Sequence, residues 1–204
     1  MRRLPIAGVI SLKMIDKAIV KAHWRGIYWE PMDRYYSQTV GMPIMTEGGH
    51  RLGRVHDIVM NTETGKIAGF LTDSGGKKVL APIDVLHWGS VMTVHDEESI
   101  LESEEIHQVM DSLKKGIKIM RNRVVTKSGE ELGRVIDFAV NDKFFLLTKL
   151  IVGKNFLGLF YHKKRLIPAT DIIEIRKDKI IVKDPLKAET IKATAKLRVD
   201  TATS

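Results

Sequence analysis

The sequence predicts a mainly β protein: two tandem, small antiparallel β-barrels joined by a short helix. Three observations carry that prediction. Two stretches about eighty residues apart repeat one another. Each is a series of short apolar runs cut by turn residues. The clearest helical periodicity falls between them.

Residues 48–61 read GGHRLGRVHDIVMN and residues 128–141 read SGEELGRVIDFAVN. At an offset of 80, Gly49 meets Gly129, Leu52-Gly53-Arg54-Val55 meets Leu132-Gly133-Arg134-Val135, Asp57 meets Asp137 and Asn61 meets Asn141. The offset then drifts to 86–88: Leu80, Pro82 and Asp84-Val85 answer Leu166, Pro168 and Asp171-Ile172, and VMTVHD (91–96) answers IIVKD (180–184). A match in this order over so long a stretch is a tandem duplication.

Within the first copy the runs VGMPIMT, GRVHDIVMN, KIAGFLTD, KVLAP, DVLHW and VMTVHD read as strands. Turn chemistry separates them at 47–49, 61–65 and 73–77. Short strands with regular turns indicate a barrel or sandwich. A domain of roughly 60–75 residues buries only about 60% of its unfolded surface, so closing the sheet to remove its edges is favoured. Gly49 and Gly129 fall in hairpin turns, where a left-handed residue is needed. Gly53 and Gly133 fall inside a strand and imply a bulge or a close backbone approach. Val55 and Val135 should face the core. Asp57 and Asp137 interrupt strands that disfavour aspartate, and are expected to accept hydrogen bonds from nearby backbone rather than to catalyse.

Between the copies, EESILESEEIHQVMDSLKKG (97–116) places Ile106, Val109, Met110 and Leu113 at helical spacing. Acidic residues lead, Lys114-Lys115 close and Gly116 stops the helix. The expected organisation is an extension over 1–40, a first barrel over 41–96, a linker helix over 97–116, a second barrel over 117–185 and a tail over 186–204. The tail is helix-capable in LKAETIKATAKL. Residues 1–31 match nothing in the repeat, so Met32 is the expected start, with the upstream stretch a disordered addition or a mis-annotated one.

The chain has 204 residues, 44% hydrophobic and 28% charged, an ordinary globular composition. No cysteine occurs, which excludes disulfides, thiolate metal sites and a cysteine nucleophile and fits a reducing cytoplasm. Apolar stretches are broken by charge well short of the ~18–20 residues a membrane span needs. The start LPIAGVISL meets Lys13, Asp16 and Lys17 without a signal-type cleavage site, so the expectation is an unsecreted, cytoplasmic protein. Net charge is +8, distributed as +4 over 1–40, −5 over 41–116 and +9 over 117–204. A basic second half fits an acidic partner surface, or simply a lysine-rich solvated one.

No chemistry-bearing motif stands out. There is no G-x-S-x-G, P-loop, G-x-G-x-x-G or H-E-x-x-H. The glycines at 48, 49, 75 and 76 precede no helix that could receive a phosphate. Glu97-Glu98 and Glu104-Glu105 read as solvated charges at a helix start. Of the seven histidines, His56 and His95 fall in strands and could meet across a barrel, though surface or hydrogen-bonded roles are commoner than ligation. The expectation is a non-enzymatic protein with no cofactor and no metal.

Each copy resembles the PRC-barrel domain, found in the H subunit of photosynthetic reaction centres and at the C-terminus of a ribosome-maturation factor. The shared pattern is a glycine turn, Leu-Gly-(Lys/Arg)-Val, an Asp, a strand ending near Asn or Asp, an apolar strand, then Pro followed by Asp and aliphatic residues. This chain shows it at Gly49 to Asn61 with Pro82 to Leu86, and at Gly129 to Asn141 with Pro168 to Ile173. Its structural motif is thus Gly49, Gly53, Arg54, Asp57, Gly129, Gly133, Arg134 and Asp137. The two-barrel arrangement resembles bacterial tandem proteins rather than the reaction-centre subunit, which requires a membrane helix.

Residues 153–165, GKNFLGLFYHKKR, concentrate aromatic residues beside a basic run. The plainer reading is a strand core with a wet basic end. The functional reading is a contact site of Phe156, Leu157, Phe160, Lys163, Lys164 and Arg165. A protein partner, and hence an adapter role, is the first expectation. RNA or the ribosome is the alternative through the basic second barrel, and a peripheral contact with an anionic membrane comes third.

Overall fold

The computed structural model describes residues 32–156 and 160–184, the side chains of 155–163 excepted. The first copy contributes β1 (Asp33–Tyr35), a single helical turn α1 (Tyr36–Thr39), β2 (Pro43–Thr46), β3 (Arg51–Arg54), β4 (Asp57–Asn61) and β5 (Lys66–Leu71). It continues through β6 (Lys78–Leu80), β7 (His87–Trp88), β8 (Met92–Val94), β9 (Ile100–Glu102) and α2 (His107–Lys115). The second copy contributes β10 (Arg123–Thr126), β11 (Glu131–Asn141), β12 (Leu146–Phe156), β13 (Phe160–Pro168), β14 (Ile172–Ile175) and β15 (Lys179–Val182). The chain is mainly β, as the turn spacing predicts.

The repeat holds at the level of single hydrogen bonds. Thr46 N donates to His50 O as Thr126 N donates to Glu130 O, and Glu47 N donates to Val94 O as Lys127 N donates to Val182 O. Gly41 N reaches Val55 O as Arg121 N reaches Val135 O. Gly49 and Gly129 take φ of +82° and +95° in their turns. The register slips at Leu52 and at Leu132, placing the expected bulge beside each glycine of Leu-Gly-Arg-Val. Val55 and Val135 are fully buried.

Four sequence-based expectations need correction. The ladders are not purely antiparallel, because β2 pairs with β8, and β10 with β15, in parallel. Nor do the ladders of the described residues close into barrels. Among the described residues no ladder joins β6 to β7 or β13 to β14. Short 3₁₀ turns, Pro82–Asp84 and Ala169–Asp171, take those corners. The alignment across that corner also shifts by one. Phe70 faces Leu80 and Leu150 faces Ile167, so Leu80 matches buried Ile167, whereas exposed Leu166 matches buried Val79. Pro82 opens the first 3₁₀ turn and Pro168 precedes the second; both places suit proline, so the shared residue misleads.

The fourth correction concerns the segments around the first copy. Residues 33–39, counted with the extension, form β1 against β11 of the second copy, followed by α1. Residues 100–102, counted with the linker helix, form β9 on the edge of β6. The helix itself is confined to 107–115 and ends at Gly116, φ 61°. Its Val109 is buried against Val59, Ala68, Leu71 and Val79. A Cβ on Gly69 would lie 2.5 Å from Val79 Cγ2 and 2.9 Å from Val109 Cγ2, so α2 is seated on a glycine. The expectations for residues 1–31 and 186–204 lie outside the described residues.

One hydrophobic core serves both copies. Ile44, Phe70, Leu80 and Met92 of the first pack in the same cluster as Val124, Phe138, Leu150 and Ile180 of the second. Burying a side chain of this size contributes about 1.5–3 kcal/mol. The copies meet at equivalent hairpin turns. Ile67 N donates to Phe145 O and Leu147 N donates to Gly65 O, both at 2.8 Å, a reciprocal pair. Gly65 and Phe145 share a left-handed backbone, φ 70° and 53°. The Phe145 ring stacks on Trp88 of the other copy, centroids 5.8 Å apart at 15°.

Candidate functional site

The copies differ most in one hairpin. Between Leu71 and Val79 of the first copy the connection is 72–78; between the equivalent Ile151 and Leu166 it is 152–165, twice as long. The added residues continue both strands. Beyond Gly153, which still pairs with Arg134 of β11, β12 pairs among the described residues only with β13, through Lys154–His162, Asn155–Tyr161 and Phe156–Phe160.

The proposed contact residues gather on this hairpin. Phe156 and Phe160 face one another in register at its tip, and Leu157 lies outside the described residues. The side chains of Phe156, Phe160 and Lys163 likewise lie outside the description. Lys164 and Arg165 are exposed, with Arg165 4.0 Å from Glu130. The first copy has no counterpart to this extension.

The longer β12 also changes the repeated motif. Gly133, at φ +128°, faces Gly153, whose carbonyl oxygen would lie 2.4 Å from a Cβ placed there. Gly53 has nothing within 4 Å of the same position, because β5 ends at Leu71 and no strand passes over it. Arg54 and Arg134 are exposed, and Arg134 donates to Arg121 O at 3.1 Å.

Asp57 and Asp137 each accept from the next backbone N–H, of Ile58 at 2.8 Å and Phe138 at 2.9 Å. Each also takes a donor from α1. Tyr36 Oη donates to Asp57 at 3.0 Å, while Ser37 donates to Asp137 through its backbone N–H at 3.1 Å and its hydroxyl at 2.6 Å. The two aspartates therefore pin α1 across both copies. Burial and, next, the Asp57 charge push the Tyr36 phenol up to about 12. Tyr36 and Asp57 line a 570 Å³ cleft together with Met60, Leu113, Met120 and Phe138. It joins apolar walls to a carboxylate, a phenol and the Arg121 side chain. Sequence reasoning missed Tyr36, which sits in the supposed extension; the recurrence of an aspartate in a strand was the available signal.

The histidine pair does not form. His95 lies 3.0 Å from Glu47, and His56 is exposed. Among the described residues no group of three or more His, Asp or Glu gathers in a metal-holding arrangement, and no helix is long and apolar enough to cross a membrane.

A search of curated proteins returns no match to this chain. The family model of the PRC-barrel domain matches it twice, over residues 32–103 and 118–188.

Proposed function

The chain belongs to the PRC-barrel domain family, matched in both of its copies, and on that premise we propose that it is a non-enzymatic binding protein that acts as an adapter. The observation that carries this reading is the β12–β13 extension. Two copies share one core and equivalent hydrogen bonds, yet only the second sends a hairpin past its sheet. Neither the shared core nor the first copy's sheet requires that extension. Its tip brings Phe156 and Phe160 opposite one another, close in sequence to the exposed Lys164 and Arg165. Aromatic anchors beside arginine are the composition that dominates protein–protein contact energy. A protein partner is therefore the leading reading.

The experiment replaces residues 154–163 by Asn-Gly, which closes a two-residue hairpin between Gly153 and Lys164 and leaves the buried Val152 in place. Tagged wild type and the shortened variant are recovered from native cells, with and without RNase. A protein that co-purifies with wild type, resists RNase and is lost with the variant supports the adapter role. Association that vanishes with RNase, and falls steeply with salt, supports the RNA reading through the basic second half. Equal recovery by both chains refutes the hairpin as the contact site.

A further inference from the structure

The first copy covers the outer edge of β6 with a strand of its own. β9 pairs there antiparallel, Lys78 with Glu102, Val79 with Leu101 and Leu80 with Ile100, and Val79 is fully buried. The equivalent edge in the second copy belongs to β13. Among the described residues β13 pairs only with β12, and Leu166, the counterpart of Val79, is 60% exposed. An open strand edge with an apolar side chain on it is a template for another strand.

Beside that edge runs a groove whose lining includes the apolar Leu166, Ile167 and Val182 and the charged Arg165, Lys183 and Asp184. Asp184 is also the last described residue, held by Ser128, so the chain leaves β15 in the groove itself. In the first copy, six residues, 95–100, carry the chain from Val94 of β8 to Leu101 of β9. Between Val182 and Ala188 there are five, 183–187, one fewer.

A helix like α2 has no seat here. α2 rests on Gly69, whose counterpart Lys149 is paired with Asp33 and lies 5.6 Å over the Tyr35 ring. A strand does have one. In Leu186-Lys187-Ala188-Glu189-Thr190 the period of two puts Leu186, Ala188 and Thr190 on one face and the charges on the other.

We propose that residues 186–190 add to the free edge of β13 as an antiparallel strand, with Ala188 opposite Leu166, as β9 adds to β6. The tail then occupies the second copy's open edge, and any outside strand must displace it. This inference is independent of what the hairpin tip binds.

The cysteine-free sequence makes the test direct. Leu166→Cys is combined in turn with Leu186→Cys, Ala188→Cys or Thr190→Cys, and the folded chain is oxidised. A disulfide needs Cβ atoms about 3.5–4.5 Å apart, so only a neighbour across the ladder closes it. The expected result is near-complete crosslinking within one chain, strongest with Ala188→Cys and abolished in denaturant. Dimer crosslinks alone would make a second copy the occupant and overturn the proposal; so would no crosslink at any of the three. Amide exchange gives an independent readout. Backbone amides of Arg165–Ile167 that face the groove should exchange at least about tenfold faster when the chain is cut after Asp184. Equal exchange in both chains would overturn it as well.

Discussion

Replacing Gly133 with alanine should destabilise the protein by about 3 kcal/mol, while the same replacement at Gly53 should leave stability unchanged or slightly raised. At Gly133 two costs combine. An L-residue held at φ +128° carries strain of roughly 1–3 kcal/mol. The new Cβ would also lie 2.4 Å from the Gly153 carbonyl oxygen and 3.0 Å from Lys154 Cα. Those atoms are backbone, so relief requires β12 to move, and overpacking of this kind costs about 1–3 kcal/mol. At Gly53 the φ is ordinary and the space open, and alanine in a strand gains up to about 0.5–1 kcal/mol over glycine. Urea unfolding followed by tryptophan fluorescence reads both. With a slope of about 2 kcal/mol/M, the Gly133→Ala midpoint should fall by roughly 1.5 M and that of Gly53→Ala should not fall. If Gly53→Ala loses as much, the glycine serves the bulge alike in both copies and the argument from the longer β12 is wrong. If Gly133→Ala is silent, β12 does not pass where the structure places it.

Two further outcomes are expected. Tyr36 has its phenol raised from 10.0 to about 12, so the folded state holds that proton more tightly than the unfolded chain. Its contribution is fully present below pH 10 and is lost as pH rises from 10 to 12. Tyr36→Phe should flatten the fall in stability over that window relative to wild type, and parallel curves for the two proteins would disprove it. Phe145→Ala removes a half-buried ring packed against both Trp88 and Phe70, and should cost about 2–3 kcal/mol while keeping one unfolding transition. In a Trp24→Phe, Trp29→Phe background the emission of Trp88 should shift to the red; unchanged emission would mean that the two copies do not share this contact.

The duplication was legible because turn glycines, bulge glycines and the asparagines that close the β4–β5 and β11–β12 turns are demanded by local backbone geometry. Asn61 Oδ1 accepts from Glu63 and Thr64 just as Asn141 Oδ1 accepts from Lys143 and Phe144. Such requirements write themselves into neighbouring residues. The partners of Asp57 and Asp137 were not legible, since Tyr36 and Ser37 reach them from 21 and 100 residues away. β9 was hidden by composition: Ile100-Leu101-Glu102 lies among glutamates and serines, and only the edge it covers makes it a strand. The hairpin extension could be seen as a drift in offset, from 80 to 86–88. That drift showed where residues were added, but not that they prolong the ladder. The shared core was invisible, because each copy's apolar pattern is satisfied equally by a partner of either kind.

The reciprocal hydrogen bonds between the two hairpin turns have a consequence for how this interface can change. Two identical subunits meeting about a twofold axis must place the same residue on both sides of it. A glycine there would leave Trp88 without its stacked ring, and two phenylalanines would bear the left-handed strain twice. Here both sides belong to one chain, so Gly65 and Phe145 occupy equivalent places with different side chains, one relaxed and one filling the space beside Trp88. Covalent linkage frees the pseudo-axis from its own symmetry, and each half of the contact can be altered without a matching change in the other.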